Sequence, residues 1–170
     1  MNKFGMLAVV LTLVGCSSFR STDDLPVVKD FDASRYMGVW YEIARLPQWF
    51  ERDLDEVTAT YSLEGGKLRV VNRGVRDGKE VVATAVGRFA GPSDEGAFRI
   101  SFFRPFYGDY RIVWLSPEYD LALVTSSDRS SLWLLSRDKA LDASRRDELI
   151  DLARDWGFDT ERLEYPAIRW

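Results

Sequence analysis

The sequence predicts an all-β protein: eight antiparallel strands closed into an up-and-down barrel, with one C-terminal α-helix packed outside. Three observations predict it. From Val39 onward, stretches rich in Val, Ile, Thr and aromatic residues alternate with turns bearing Gly, Asp and Pro. Period-two alternation groups Leu68 with Val70, Phe98 with Ile100 and Phe102, and Tyr110 with Ile112 and Trp114. A single late segment changes to the helical period.

The strands are expected at 39–46, 57–63, 67–73, 80–89, 97–103, 110–115, 121–125 and 131–137. Glu64-Gly65-Gly66-Lys67 and Arg76-Asp77-Gly78-Lys79 supply hairpin residues that tolerate positive φ. Short links between consecutive strands favour a meander, and closing it removes the exposed edges. The helix is expected over 142–156, where Leu149, Leu152, Ala153 and Trp156 form an apolar stripe. Asp142 or Ser144 can cap its start and Gly157 can end it. Arg162 to Tyr165 is expected to add a short final strand before Pro166.

Composition then narrows the function. Hydrophobic residues make up 46% and charged residues 29% of the 170, an ordinary globular balance. Histidine is absent, which removes Ser-His-Asp and Cys-His catalysis, His-ligated metals and a histidine pH switch. No cofactor and no metal are expected. The net charge of −4 opposes a broad cationic surface for nucleic acid.

The first residues have a different character. Lys3 precedes an apolar run from Phe4 to Val14, which as a helix rises only about 16 Å, too short for a bilayer core. A basic start, a short apolar centre and small residues after it describe a secretory leader over 1–15. Its end, Leu13-Val14-Gly15-Cys16, resembles the lipobox of bacterial lipoproteins. That resemblance implies that Cys16, the sole cysteine, becomes an acylated first residue that anchors the protein. Ser17 in place of Asp implies the outer membrane. Residues 16–30 are polar and contain Pro26, and read as a flexible tether to a domain over 31–170.

Three further motifs carry a family resemblance. Gly38-Val39-Trp40-Tyr41-Glu42-Ile43-Ala44-Arg45 looks like the Gly-x-Trp signature that opens the first strand of lipocalins. Tyr119-Asp120-Leu121-Ala122-Leu123-Val124 resembles the second signature, without its usual second aromatic, and Leu135-Ser136-Arg137 the third. The words Ala59-Thr60-Tyr61-Ser62-Leu63 and Ser101-Phe102-Phe103-Arg104-Pro105-Phe106-Tyr107-Gly108 narrow the likeness to the branch of bacterial outer-membrane lipoproteins and apolipoprotein D. The resemblance implies a calyx barrel that is closed at one end by Gly38, Trp40 and Arg137, the guanidinium lying over the Trp40 ring. Loops near 47–56, 74–79, 104–109 and 126–130 then surround the mouth.

With Trp40 set inward, alternation places Glu42 and Ala44 inside, followed by Val57, Ala59 and Tyr61, then Phe102, Tyr110, Ile112, Val124 and Trp133. Of these, Ala44, Ala59, Tyr61, Phe102, Tyr110, Ile112, Val124 and Trp133 are the candidate ligand-binding wall. Glu42 needs a donor partner or a raised pKa there, and a tyrosine or water is the expected partner. Trp49, Phe50, Phe106 and Tyr107 at the mouth serve either chain entry and membrane contact or rim packing.

The function that follows is reversible binding of a fatty acid or lysophospholipid by a lipid-anchored barrel on the periplasmic face of the outer membrane. Storage, transport and envelope maintenance are the roles this suits. No enzymatic step is expected, and pairing of two barrels stays open. The alternatives are a filled barrel acting as a structural or adaptor lipoprotein, and a carrier of haem-like molecules, for which Tyr61 or Tyr110 would be a poor iron ligand.

Overall fold

The computed structural model describes residues 20–168; the leader over 1–15 and Cys16 lie outside them. Eight strands run in chain order: β1 (Gly38–Arg45), β2 (Asp55–Glu64), β3 (Lys67–Arg76), β4 (Lys79–Phe89), β5 (Ala97–Phe103), β6 (Phe106–Leu115), β7 (Leu121–Thr125) and β8 (Leu132–Ser136). Each pairs antiparallel with its neighbour, and β8 returns to β1, so the barrel closes. A short helix α1 (Ala33–Tyr36) precedes β1, and α2 (Ala143–Asp155) follows β8. The meander and the late helix are as the sequence predicts.

Asp142 caps α2, accepting from the Ser144 and Arg145 amides. Gly157, at φ 83°, takes the chain out of it in the left-handed region. Leu149 and Ala153 are buried between helix and barrel, and Leu152 and Trp156 pack against them. The expected final strand reduces to one bridge, Arg45 with Glu164, after a 3-10 turn at Thr160–Arg162.

Four register shifts interrupt the ladders, and those in β1 and β6 move side chains off the faces that alternation assigns. Glu42 pairs with Leu135 but Ala44 with Leu134, so Ile43 is an extra residue in β1. Strict alternation therefore fails beyond Glu42. Ile43 and Ala44 both join the outer core under α2, and Ala44 is not on the inner wall as expected. In β6 the pairs Ile112–Val124 and Trp114–Leu123 leave Val113 extra. Val113 and Trp114 consequently turn outward, separating Trp114 from the face it shares with Tyr110 and Ile112 in the simple pattern.

The expected flexible tether is also corrected where it is described. The Thr22 amide donates to the Ser127 carbonyl, and its hydroxyl to Ser126. Leu25 is buried in the outer core. The Val28 amide donates to Ile112, and the Val28 carbonyl accepts from Gly96. Residues 20–30 thus run down the barrel wall from the β7–β8 loop to the far end. Polar composition suggested a free tether, but here the backbone supplies the docking bonds.

That far end is shut. Trp40 is fully buried and donates through Nε1 to the Tyr36 carbonyl at 2.8 Å. The Arg137 guanidinium carbon lies 4.1 Å from the Trp40 ring centre. Arg137 Nη1 donates to the Val39 carbonyl at 2.7 Å, Nη2 to those of Arg35, Tyr36 and Met37, and Nε to that of Tyr119. Gly38 has φ 99°, and a Cβ there would come within 3.1 Å of Arg137 Nη1.

Removing Arg137 leaves several of these carbonyls without a donor, so Arg137→Ala should cost about 2–4 kcal/mol in urea unfolding. Arg137→Lys should recover less than half of that loss, because an ammonium cannot reproduce the planar fork and its ring contact. Full recovery by lysine would show that charge alone closes the barrel.

Candidate functional site

A cavity of about 530 Å³ occupies the barrel above this closed end and opens between the β1–β2, β3–β4, β5–β6 and β7–β8 connections. The barrel is therefore hollow, and the cavity lies in the size range of small-molecule sites. Ala59, Tyr61, Phe102, Tyr110, Val124 and Trp133 line it, together with Val57 and Glu42. The register places Ala59 between Trp40 on β1 and Asn72 on β3, and its small side chain leaves space beside the larger rings.

Two of the expected wall residues are elsewhere. Ala44 faces α2 for the reason given above. Ile112 is fully buried in the interior core with Phe31, Trp40 and Phe98, off the cavity wall. It is tied there by the Gly96 carbonyl, which accepts from its amide, and a Cβ at Gly96 would come within 3.1 Å of the Ile112 Cβ.

The floor carries a row of phenols. Tyr36 and Tyr61 hydroxyls each lie in hydrogen-bond range of the Tyr110 hydroxyl, at 2.7 and 2.8 Å. Burial pushes all three well above the ordinary tyrosine pKa, so they stay protonated. Three hydroxyl protons and two hydrogen bonds leave one O–H free to turn elsewhere. On β3, Asn72 lines the cavity with Oδ1 buried and without a hydrogen-bond partner among the described residues. The wall is thus apolar with a few unspent polar atoms.

Its charged part was not legible in the alternation. The β1 bulge turns Arg45 into the barrel, where it is buried at 2% exposure. Arg45 Nη1 donates to Glu42 Oε1 at 2.6 Å, and Nε to Glu164 Oε2 at 3.2 Å. Its Nη2 donates to the Glu51 and Leu54 carbonyls, which pins the β1–β2 loop over the side of the mouth. Glu51 is itself buried and accepts from Trp133 Nε1 at 3.0 Å. Glu42's partner is therefore an arginine, not the tyrosine or water that its position suggested.

One interior cation faces more than one carboxylate. Desolvation first, and then the charge of Glu51, raise the Glu42 carboxyl to about 8, against the pull of Arg45. Desolvation also raises Glu51, while Trp133 and Arg45 oppose it. At neutral pH Glu42 is mainly a neutral acid that still accepts from Arg45.

The folded chain therefore holds a proton on Glu42 that the unfolded chain, with an ordinary value of 4.5, has released. This contribution to stability is complete below about pH 4.5 and is lost as pH rises towards about 8. The shifts of Asp24, Asp32 and Asp120 run downward from 3.8 and act at lower pH. The urea-unfolding free energy should therefore decline between about pH 5 and about pH 8.5, and Glu42→Gln should lessen that decline, leaving the part that the raised Glu51 contributes with the same sign. An equally steep decline in the variant would place the titrating group elsewhere.

Comparison with known proteins agrees with this geometry. The family model of the lipocalin-like domain matches residues 31–168. Outer membrane lipoprotein Blc of Citrobacter freundii is 42% identical over 154 residues, covering 89% of this chain and 87% of its own. Outer membrane lipoprotein Blc of Vibrio cholerae is 39% identical over 169 residues, covering 97% and 98%. Insecticyanin of the tobacco hornworm Manduca sexta, at 20% identity, shares the fold with a TM-score of 0.71 over 88% of this chain and 87% of its own. With the closed eight-stranded barrel, the Trp40–Arg137 plug and the matched span in agreement, the chain belongs to the lipocalin-like family.

Proposed function

We propose that this protein is a lipid-anchored carrier that holds one fatty acid or lysophospholipid reversibly in its barrel. The observation that carries this reading is the cavity: about 530 Å³, open at one end, and walled by Val57, Ala59, Phe102, Val124 and the rings of Tyr61, Tyr110 and Trp133. Burial of an acyl chain there gains about 0.8 kcal/mol per methylene. Sixteen buried methylenes would supply roughly 13 kcal/mol, which leaves about 8 kcal/mol, a micromolar affinity, after an association cost of about 5 kcal/mol. The Asn72 amide and the free phenolic O–H offer polar contacts without fixing a headgroup.

Binding needs no covalent step. The wall holds no histidine or thiol, and its carboxylates are engaged, Glu42 with Arg45, Glu51 with Trp133 and Asp109 with Arg99. The lipobox at 13–16 and the name of the relatives, outer membrane lipoprotein, support a mature chain that begins at acylated Cys16 and works on the periplasmic face of the outer membrane. A reversible carrier in that place suits storage or transfer of membrane lipid.

The test uses a soluble form lacking residues 1–15, with Cys16→Ser, stripped of copurified lipid. Titration with an unsaturated fatty acid and with its lysophospholipid should each change tryptophan fluorescence saturably at micromolar ligand. Tyr61→Ala and Trp133→Ala should each weaken binding by about tenfold or more, the loss expected when a wall ring is removed. A folded protein that binds neither ligand would overturn the proposal.

A further inference from the structure

The rim of the mouth is strongly apolar and exposed. Trp49 is 82% exposed, Phe103 and Phe106 each 78%, and Phe50 45%. They are contiguous: Phe50, Phe103 and Phe106 border one opening, and Trp49 meets Phe50 edge-on with ring centres 5.6 Å apart. Such a patch marks a surface that something else covers. Where the chain enters the barrel says what that is.

The described chain begins at the same end. Ser21 bridges Asp128, and the Arg129 amide donates to the Arg20 carbonyl, both within the β7–β8 connection at the mouth. Arg129, with its side chain 1% exposed, grips this segment. It donates to the Ser21 carbonyl, and its Nη2 reaches both Asp24 oxygens at 2.9 Å. Its Nε donates to the Trp156 carbonyl at the end of α2, so the grip is tied to the rest of the fold.

Four peptide steps separate Cys16 from Arg20, a span of at most about 14 Å. The barrel is roughly 25–30 Å long for strands of this length at the usual tilt. An anchor at Cys16 therefore stays near the mouth and cannot reach the closed end. We infer that the docked N-terminal segment moors the barrel mouth-down, so that Trp49, Phe50, Phe103 and Phe106 enter the same lipid leaflet that holds the Cys16 acyl chains. This rests on the reading of Cys16 as the acylated residue. Aromatic rings are at home at the depth of the headgroups. Arg52 and Arg104 flank them, with Asp53 of opposite sign beside Arg52, so the rings and the anchor position carry the argument. A cavity opening onto the leaflet would exchange a chain without passing it through water.

The experiment uses full-length acylated protein in vesicles of phosphatidylethanolamine and phosphatidylglycerol containing chain-brominated phosphatidylcholine. Bromine should quench the tryptophan emission, and Trp49→Phe should remove at least half of the quenched fraction. An environment-sensitive dye on Arg52→Cys at the rim should report an apolar, quenched site, whereas the same dye on Lys67→Cys at the closed end should not. Acylated protein with equal signals at the two positions, or with no quenching of Trp49, overturns the mooring and leaves the carrier reading intact. Absence of quenching with rim-to-rim cross-links overturns it in favour of a second copy of this chain. A mass for the N-terminal peptide that shows unmodified Cys16 overturns the mooring and the anchored part of the carrier reading together.

Discussion

The structure depends on one contact, the Arg137 guanidinium stacked on the Trp40 ring. Each partner alone would be a buried group in need of company: an indole N–H and a cation at the rim of an apolar core. Together they are satisfied, because the carbonyls of α1 and of the β6–β7 turn converge on the donors of Arg137 and Trp40. The contact joins the first strand to the last at the point where closure is needed. It also makes the two ends of the barrel unequal. One end has its backbone acceptors spent on Arg137 and its volume filled by Trp40 and Tyr36, and the other is left open.

That asymmetry explains why the overall fold was legible in the sequence and the wall only partly so. Strand order, closure and helix α2 follow from period-two and period-3.6 patterns, which neighbouring residues reinforce. Ala59, Tyr61, Phe102, Tyr110, Val124 and Trp133 keep the face that alternation assigns. Ala44 and Trp114 do not, since one inserted residue in β1 and one in β6 reverse the face of everything after them. A bulge leaves no mark in composition. Ile112 kept its face but not its depth, because alternation says in or out and nothing about height along the barrel.

The same β1 bulge produced the least legible feature of all. By composition Arg45 reads as a surface residue, and burial of an arginine is ordinarily opposed by desolvation. Here Ile43 takes the extra place in the strand, Arg45 turns inward, and its donors find Glu42, Glu164 and two loop carbonyls. The charge is tolerated because its donors are engaged. It follows that Arg45 positions the β1–β2 loop, and with it Glu51 and the Trp133 side chain at the cavity wall. Residues 20–30 depart from what their composition suggests for a related reason: they dock through backbone groups and through Arg129, a partner more than a hundred positions away.

A hollow barrel forgoes the packing that a filled one would gain, so its stability has to come from elsewhere. Two clusters provide it on either side of the empty space. The outer one binds Leu121, Leu123, Leu132 and Leu134 to Leu149 and Ala153 of α2, entirely outside the barrel. The inner one gathers Phe31, Tyr36, Trp40, Leu68 and Phe98 at the closed end. The bulges feed the first of these by turning Ile43, Ala44 and Val113 outward, away from the cavity. Strands β7 and β8 serve both sides by plain alternation, with Leu121, Leu123, Leu132 and Leu134 facing α2 and Ala122, Val124, Trp133 and Leu135 facing inward, whereas the bulges let β1 and β6 each give the outer core two successive residues.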